Sequence, residues 1–284
     1  MAQRIESLGK VRHTATDIRE PGAAKKNSML KPSLTESRNK IVVLNPKGGC
    51  GKSTLVTNIA ACYAYRDTPP AVMDYDPQGS TTAWLERRSD DLPPIHGIVA
   101  YKKTMQATRS WQLRVPDKTL NLVIDSPAGV THDDLRELTR DASSILVPVL
   151  PSAMDIHAVS RCIADLLLVA KVDRNERKLA VVANRTRKNT RSYSKLMRFL
   201  DSLGIPIIAV LRDSQNFVHG AEQGIGVNEM PPSKAAPDRE QIETIVKWLD
   251  GWEQRRKRAQ TLRDMAKSSS VNDDILSKTQ FGSA

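Results

Sequence analysis

Residues 45–54 read Asn-Pro-Lys-Gly-Gly-Cys-Gly-Lys-Ser-Thr. Glycine at 48, 49 and 51 lets successive backbone N–H groups converge on an anion. A helical pattern opens at Ser53, and a helix N-terminus adds its positive dipole end to those amides. In a strand–loop–helix setting this spacing cradles phosphate along Gly48, Gly49, Cys50 and Gly51. Lys52 then reaches the β/γ-phosphates, the Ser53 hydroxyl faces Mg²⁺, and Thr54 continues into the helix. A mere flexible turn leaves the Gly-Lys-Ser-Thr helix start unexplained. The usual pattern, G-x-x-x-x-G-K-[ST], fails at its first glycine, where Pro46 stands, and a second lysine, Lys47, precedes the glycines. From the residues alone, Lys47 is an extra cation beside the phosphates.

The loop needs a strand before it, and Ile41–Leu44 supplies a short β-branched run. Similar runs recur at Ala71–Met73, Leu120–Ile124, Ile145–Val149, Leu179–Ala183 and Ile205–Leu211. They are continuously apolar, as strands covered on both faces must be. Helical patterns alternate with them at Ser53–Tyr65, Leu135–Asp141, Ile156–Lys171, Thr190–Leu203 and Asp238–Ala266. Such alternation predicts an α/β fold, a doubly wound and mostly parallel sheet with helices on both faces. Ligands then bind beyond the carboxyl ends of the strands.

The chain has 284 residues with 39% apolar and 26% charged residues, a composition that excludes wholesale disorder. No apolar run approaches the roughly 18 residues of a membrane span, and the first residues carry no apolar stretch of the secretory kind. Three cysteines, Cys50, Cys62 and Cys162, are too scattered for a disulfide framework. Residues 1–38 read as a basic N-terminal extension, 39–266 as the folded domain and 267–284 as a Ser/Asp-rich tail. The cytoplasm is the expected compartment.

The doubled lysine makes the phosphate loop resemble that of the ParA/MinD family of deviant-Walker P-loop ATPases. That resemblance spans about residues 40–250 and implies an ATP hydrolase using ATP and Mg²⁺, with Lys47 crossing a homodimer interface to the partner's nucleotide. A cation so placed stabilises charge developing during phosphoryl transfer. Asp74-Tyr75-Asp76-Pro77-Gln78-Gly79-Ser80 is similar to the family's D-x-D-P-Q-x-S segment. It implies that Asp76 positions the attacking water and Asp74 supports the metal and the loop, although an Asp-Pro turn ending in a helix cap at Ser80 fits the same residues. Asp125, closing the run Leu122-Val123-Ile124, matches the Walker B position, which bonds magnesium-bound water and Ser53. The following Ser-Pro-Ala-Gly is worded as in the MinD branch, whereas the Asp-Pro-Gln-Gly-Ser loop follows the ParA branch. Asn184 stands where the family reads the base, or serves as a strand-end turn residue.

The formal net charge of +11 points to a polyanionic partner. Arg187, Lys188, Arg191, Lys195 and Arg198 fall in a stretch without acids, and Arg212 is a further candidate at the start of Leu211–Phe217, the stretch that by resemblance forms the loop over the adenine face. If helical from Thr190, the chain sets Arg191, Lys195 and Arg198 on one face, either as a solvated surface or as a DNA footprint. Arg255-Arg256-Lys257-Arg258 is a second basic group. By resemblance, the ATP-bound homodimer binds DNA non-specifically at the nucleoid. A ParB-like or cargo-adaptor protein then promotes hydrolysis. The competing expectation is a MinD-like membrane-associated ATPase. Membrane attachment is disfavoured because Ser268-Ser269-Ser270 and Asp273-Asp274 interrupt the C-terminal apolar residues.

Overall fold

A computed structural model describes residues 38–101 and 115–265. The N-terminal extension and the tail expected from the sequence lie outside the described residues, save Arg38. Seven strands form one parallel sheet: β1 (Asn39–Val43), β2 (Ala71–Asp74), β3 (His96–Val99), β4 (Asn121–Asp125), β5 (Ser144–Val149), β6 (Leu179–Thr186) and β7 (Ile207–Arg212). Their order is β3-β2-β4-β1-β5-β6-β7. The strand order therefore reverses at β1, the topological position where a ligand crevice opens beyond the strand ends.

Alternate residues of each strand feed two cores, as a sheet covered on both faces requires. Val42, Leu44, Ile124, Ile145 and Val147 pack on one face with Leu135, Val159, Leu166 and Leu196. These come from α3 (His132–Thr139), α4 (Ala153–Leu168) and α5 (Arg191–Ser202). Ile41, Val43, Val123 and Leu146 pack on the other face against α1 (Lys52–Tyr65) and α7 (Pro232–Asp250). The doubly wound parallel sheet expected from the alternating runs is the observed architecture.

Three elements carry no long periodic signal: α2 (Ser80–Glu86), β3, and α6 (Gln215–Gln223). Helix α2 begins at Ser80, where the sequence allowed a helix after the Asp-Pro turn, but its cap is Gly79, with no side-chain bond, and not Ser80. Helix α6 occupies part of the segment expected as an adenine loop, with the Ser214 hydroxyl accepting from Asn216 N at its start. The expected helix at 238–266 starts earlier, at the Pro231-Pro232 pair that suits a first turn. It stops at Asp250, and residues 252–265 form a separate helical segment. Helices α3 and α4 also start ahead of their apolar residues. Thr131 and Ser152 cap them, each accepting from the backbone N–H three residues on.

Candidate nucleotide site

The phosphate loop leaves the C-terminal end of β1, where Asn45 sets its exit. Asn45 is fully buried. Its amide donates to the Pro148 carbonyl of β5 (2.7 Å), and its carbonyl accepts from Lys47 N (2.9 Å). The last β1–β5 register pair is Val43 with Leu146, so Pro148 lies beyond the paired segment and its missing N–H removes no bond to β1. Gly49 and Gly51 occupy the left-handed region at φ 75° and 94°, where a side chain is strained. A Cβ on Gly51 would also stand 2.1 Å from Asn184 Nδ2. The loop thus turns as its glycine spacing predicts.

Lys52 is the first residue of α1 and only 5% exposed, with its Nζ 3.2 Å from the Lys47 carbonyl. The same carbonyl accepts from the Cys50 thiol. Burial raises that thiol's pKa, so Cys50 is a packed neutral residue within the loop. Beside the loop opens a cavity of about 480 Å³, lined by Gly48, Lys52, Ser53, Asp76, Arg87 and Arg185 among others. Arg185 holds φ 47° directly after Asn184. The basic run around it gave no hint that this one arginine turns toward the nucleotide side.

Two carboxylates end adjacent strands, Asp74 on β2 and Asp125 on β4. The two are register partners. Asp125 is fully buried, and its Oδ2 accepts from Thr81 Oγ1 at 2.6 Å. Burial pushes this carboxyl up to about 6, while Thr81, Ser53 and Lys52 favour the charged form. Its Oδ1 is buried without a hydrogen-bond partner. A buried carboxylate oxygen lacking a donor, next to the Ser53 hydroxyl, fits a hydrated magnesium ion. Among the described residues no cluster of His, Cys, Asp and Glu gathers into a metal cage. The ion would therefore depend on phosphate oxygens as well, as magnesium usually does.

Asp74 shows the loop-supporting part of the role expected of it. Its Oδ2 accepts from Thr82 N and Thr82 Oγ1, and its Oδ1 from Asp76 N. Both oxygens are thus committed to shaping the loop. Asp76, at the tip, uses Oδ1 to accept from Gln78 N (3.0 Å) and borders the cavity. Asn184 is 5% exposed and donates to the Cys50 carbonyl over 2.9 Å. It braces the phosphate loop, so this geometry does not hold its amide out for a base.

Residues 41–227 match the model of the CobQ/CobB/MinD/ParA nucleotide binding domain. The chain belongs to this family. Its relatives include the maintenance of carboxysome distribution protein A of Halothiobacillus neapolitanus, 27% identical over 194 residues, covering 67% of this chain and 87% of that protein. The septum site-determining protein MinD of Thermotoga maritima is 24% identical over 223 residues, covering 67% and 81%. Among solved structures, an ATP complex of Cyanothece McdA superposes with a TM-score of 0.59 at 16% identity, over 76% of this chain and 97% of that one. The Aquifex aeolicus MinC:MinD complex gives 0.59 at 18%, over 75% and 96%. These likenesses establish a shared fold.

Within the ParA/MinD fold the second lysine has an intramolecular partner that sequence reading missed. Lys47 Nζ lies 2.6 Å from Asp155 Oδ2; the lysine side chain is 34% exposed and the aspartate 2%. Asp155 sits in the first turn of α4, where the Ser152 hydroxyl also bonds to Oδ2, and Oδ1 has no partner. The Ser-x-x-Asp spacing at a helix start was the available signal.

The basic residues divide into paired and unpaired ones. Arg212 forks onto the fully buried Asp238 at 2.6 and 2.8 Å, and Ser214 and Asn216 donate to the same carboxylate. Arg212 therefore ties β7 to α7, while its side chain stays 46% exposed. Arg187 similarly forks onto Asp213 at 3.0 and 2.7 Å. Among the described residues Lys188, Arg191, Lys195 and Arg198 have no ion-pair partner and are exposed. On α5 the last three lie away from its buried Leu196 and Leu200. In the second basic group Arg255 turns inward, 3.8 Å from the centre of the Trp248 ring.

Proposed function

We propose that the chain is a magnesium-dependent ATPase of the ParA type. It closes an ATP-bound homodimer, binds DNA without sequence preference, and releases it on hydrolysis promoted by a ParB-like or cargo-adaptor protein. The cycle segregates or positions a cargo. The observation that carries this reading is the pair of lysines on one phosphate loop: Lys52 enclosed within it, and Lys47 at its rim, held by a single carboxylate. Relatives named for carboxysome distribution, as ParA and as MinD support the positioning role.

The residues divide the work as follows. Backbone N–H groups of 48–52 and the Lys52 ammonium bind the phosphates and take up charge that develops on them. Asn45 and Asn184 fix the loop's shape. Ser53 and Asp125 would hold magnesium, which neutralises triphosphate charge. The Asp76 carboxylate, oriented through Gln78 N, aligns the attacking water. Lys47 leaves Asp155 when a second copy presents its nucleotide.

ATP turnover and DNA co-sedimentation with ATP against ADP test the reading. Lys52→Ala should lose productive nucleotide binding, and Asp76→Ala should bind ATP but not turn it over. Normal turnover in Asp76→Ala removes the water-positioning role. ATP-dependent retention on liposomes instead of DNA would favour a MinD-like membrane ATPase.

A further inference from the structure

Two adjacent threonines at the start of α2 send their hydroxyls to two different buried carboxylates. Thr82 bonds Asp74, which in turn accepts from Asp76 N, so that contact closes the loop on itself. Thr81 reaches out of the loop to Asp125 on β4, the carboxylate that fits magnesium. Thr139 and Thr244 satisfy their hydroxyls within their own helices, donating to the Leu135 and Glu240 carbonyls. Thr81 is fully buried, and its hydroxyl crosses to the metal side instead.

We infer that Thr81 is a positioning residue that fixes the Asp125 carboxylate and couples the metal site to the Asp76 loop. The Thr81 hydroxyl occupies Oδ2, so Oδ1 is the oxygen left to accept from a magnesium-bound water. The connection back to Asp76 is short and stiff. Gly79 N donates to the Asp76 carbonyl (2.8 Å), the Gly79 carbonyl accepts from Ala83 N (2.8 Å), and Gly79 itself is in the left-handed region. A rotation of the Asp125 carboxylate on metal uptake therefore pulls the first turn of α2 and, through Gly79, the residue assigned to the water. Outer-shell partners of a metal typically change its affinity ten- to a hundredfold when removed. Asp125, which would accept from a magnesium-bound water, is such a partner, and Thr81 fixes its orientation.

The inference rests on the magnesium–ATP reading, and the test separates the two. The full chain is loaded with a fluorescent ATP analogue, and magnesium is titrated. Trp84, on α2 and beside the cavity, reports movement of that helix through its emission, with Trp84→Phe as the subtraction. Thr81→Val should raise the magnesium half-saturation point more than twofold, by up to about tenfold, and lose the Trp84 response while still binding nucleotide. Thr81→Ser should restore both, and Thr82→Val should leave the half-saturation point unchanged. A half-saturation point within twofold of wild type in Thr81→Val overturns the inference. If that variant does not fold, hydrogen exchange of wild-type residues 76–81 decides: magnesium added to the ATP-bound chain should slow it, and unchanged exchange overturns the coupling. Failure of the wild type to bind nucleotide at all overturns the functional reading instead.

Discussion

Replacing Asp155 by Asn should make the ATP-bound dimer form more readily. The substitution keeps the volume and the Ser152 contact but removes the charge that holds Lys47 at 2.6 Å. A charge-assisted hydrogen bond contributes about 1.5–3 kcal/mol, and exposed ion pairs about 0–1. With the lysine 34% exposed and the aspartate 2%, about 1 kcal/mol per protomer is the reasonable magnitude. Closing a dimer releases two such contacts, so their prior removal favours closure by about 2 kcal/mol, roughly 30-fold in the dimer dissociation constant. The monomer should lose about the same 1 kcal/mol of stability. Sedimentation of both proteins across a concentration series, with a non-hydrolysable ATP analogue, gives the constants directly. A folded Asp155→Asn protein that dimerises no more tightly than wild type would refute the idea that Asp155 restrains Lys47. With ADP the two proteins should behave alike, because no γ-phosphate is there to receive the lysine.

Asp125 yields a prediction in pH. Its carboxyl is held up at about 6 by burial in the nucleotide-free chain, so the folded state retains that proton more firmly than the unfolded one. The associated stability is full below the ordinary value of 3.8 and is lost as pH rises through 6. Asp125→Asn should therefore melt higher than wild type at pH 8, by up to about 3 kcal/mol of stability. The difference should fade toward pH 4, and equal melting at pH 8 would count against the buried-charge account. Arg212→Met strips the fully buried Asp238 of its cation and should destabilise the fold by about 2 kcal/mol. DNA retention of the molecules that stay folded should not change. Exchanging Arg191 and Lys195 together for glutamate should do the reverse, sparing thermal stability while lowering the salt slope of ATP-dependent DNA binding by about 2. Retention at an unchanged slope would move the footprint off α5.

The phosphate loop was legible because its chemistry is local: consecutive residues supply the glycines, the lysines and the helix start, and backbone sterics alone select their conformation. The class of fold was legible for a related reason. Strands buried on both faces must be continuously apolar, and helices between them must keep a 3.6 period. Strand β3 escaped notice because His96-Gly97-Ile98-Val99 exposes its first two residues at a sheet edge, where no apolar run is demanded.

Which distant side chains meet was decided by strand order and register. Thr81 meets Asp125 because β2 lies beside β4, with Asp74 level with Asp125. Lys47 meets an aspartate 108 residues away because β5 flanks β1 and delivers α4 to the same end of the sheet. Arg212, one of several candidate DNA cations in the sequence, forks onto Asp238, 26 residues along the chain. A residue's type states what it can bond. The neighbour it does bond depends on hydrogen-bonded registers between remote segments, a long-range property that no local pattern records.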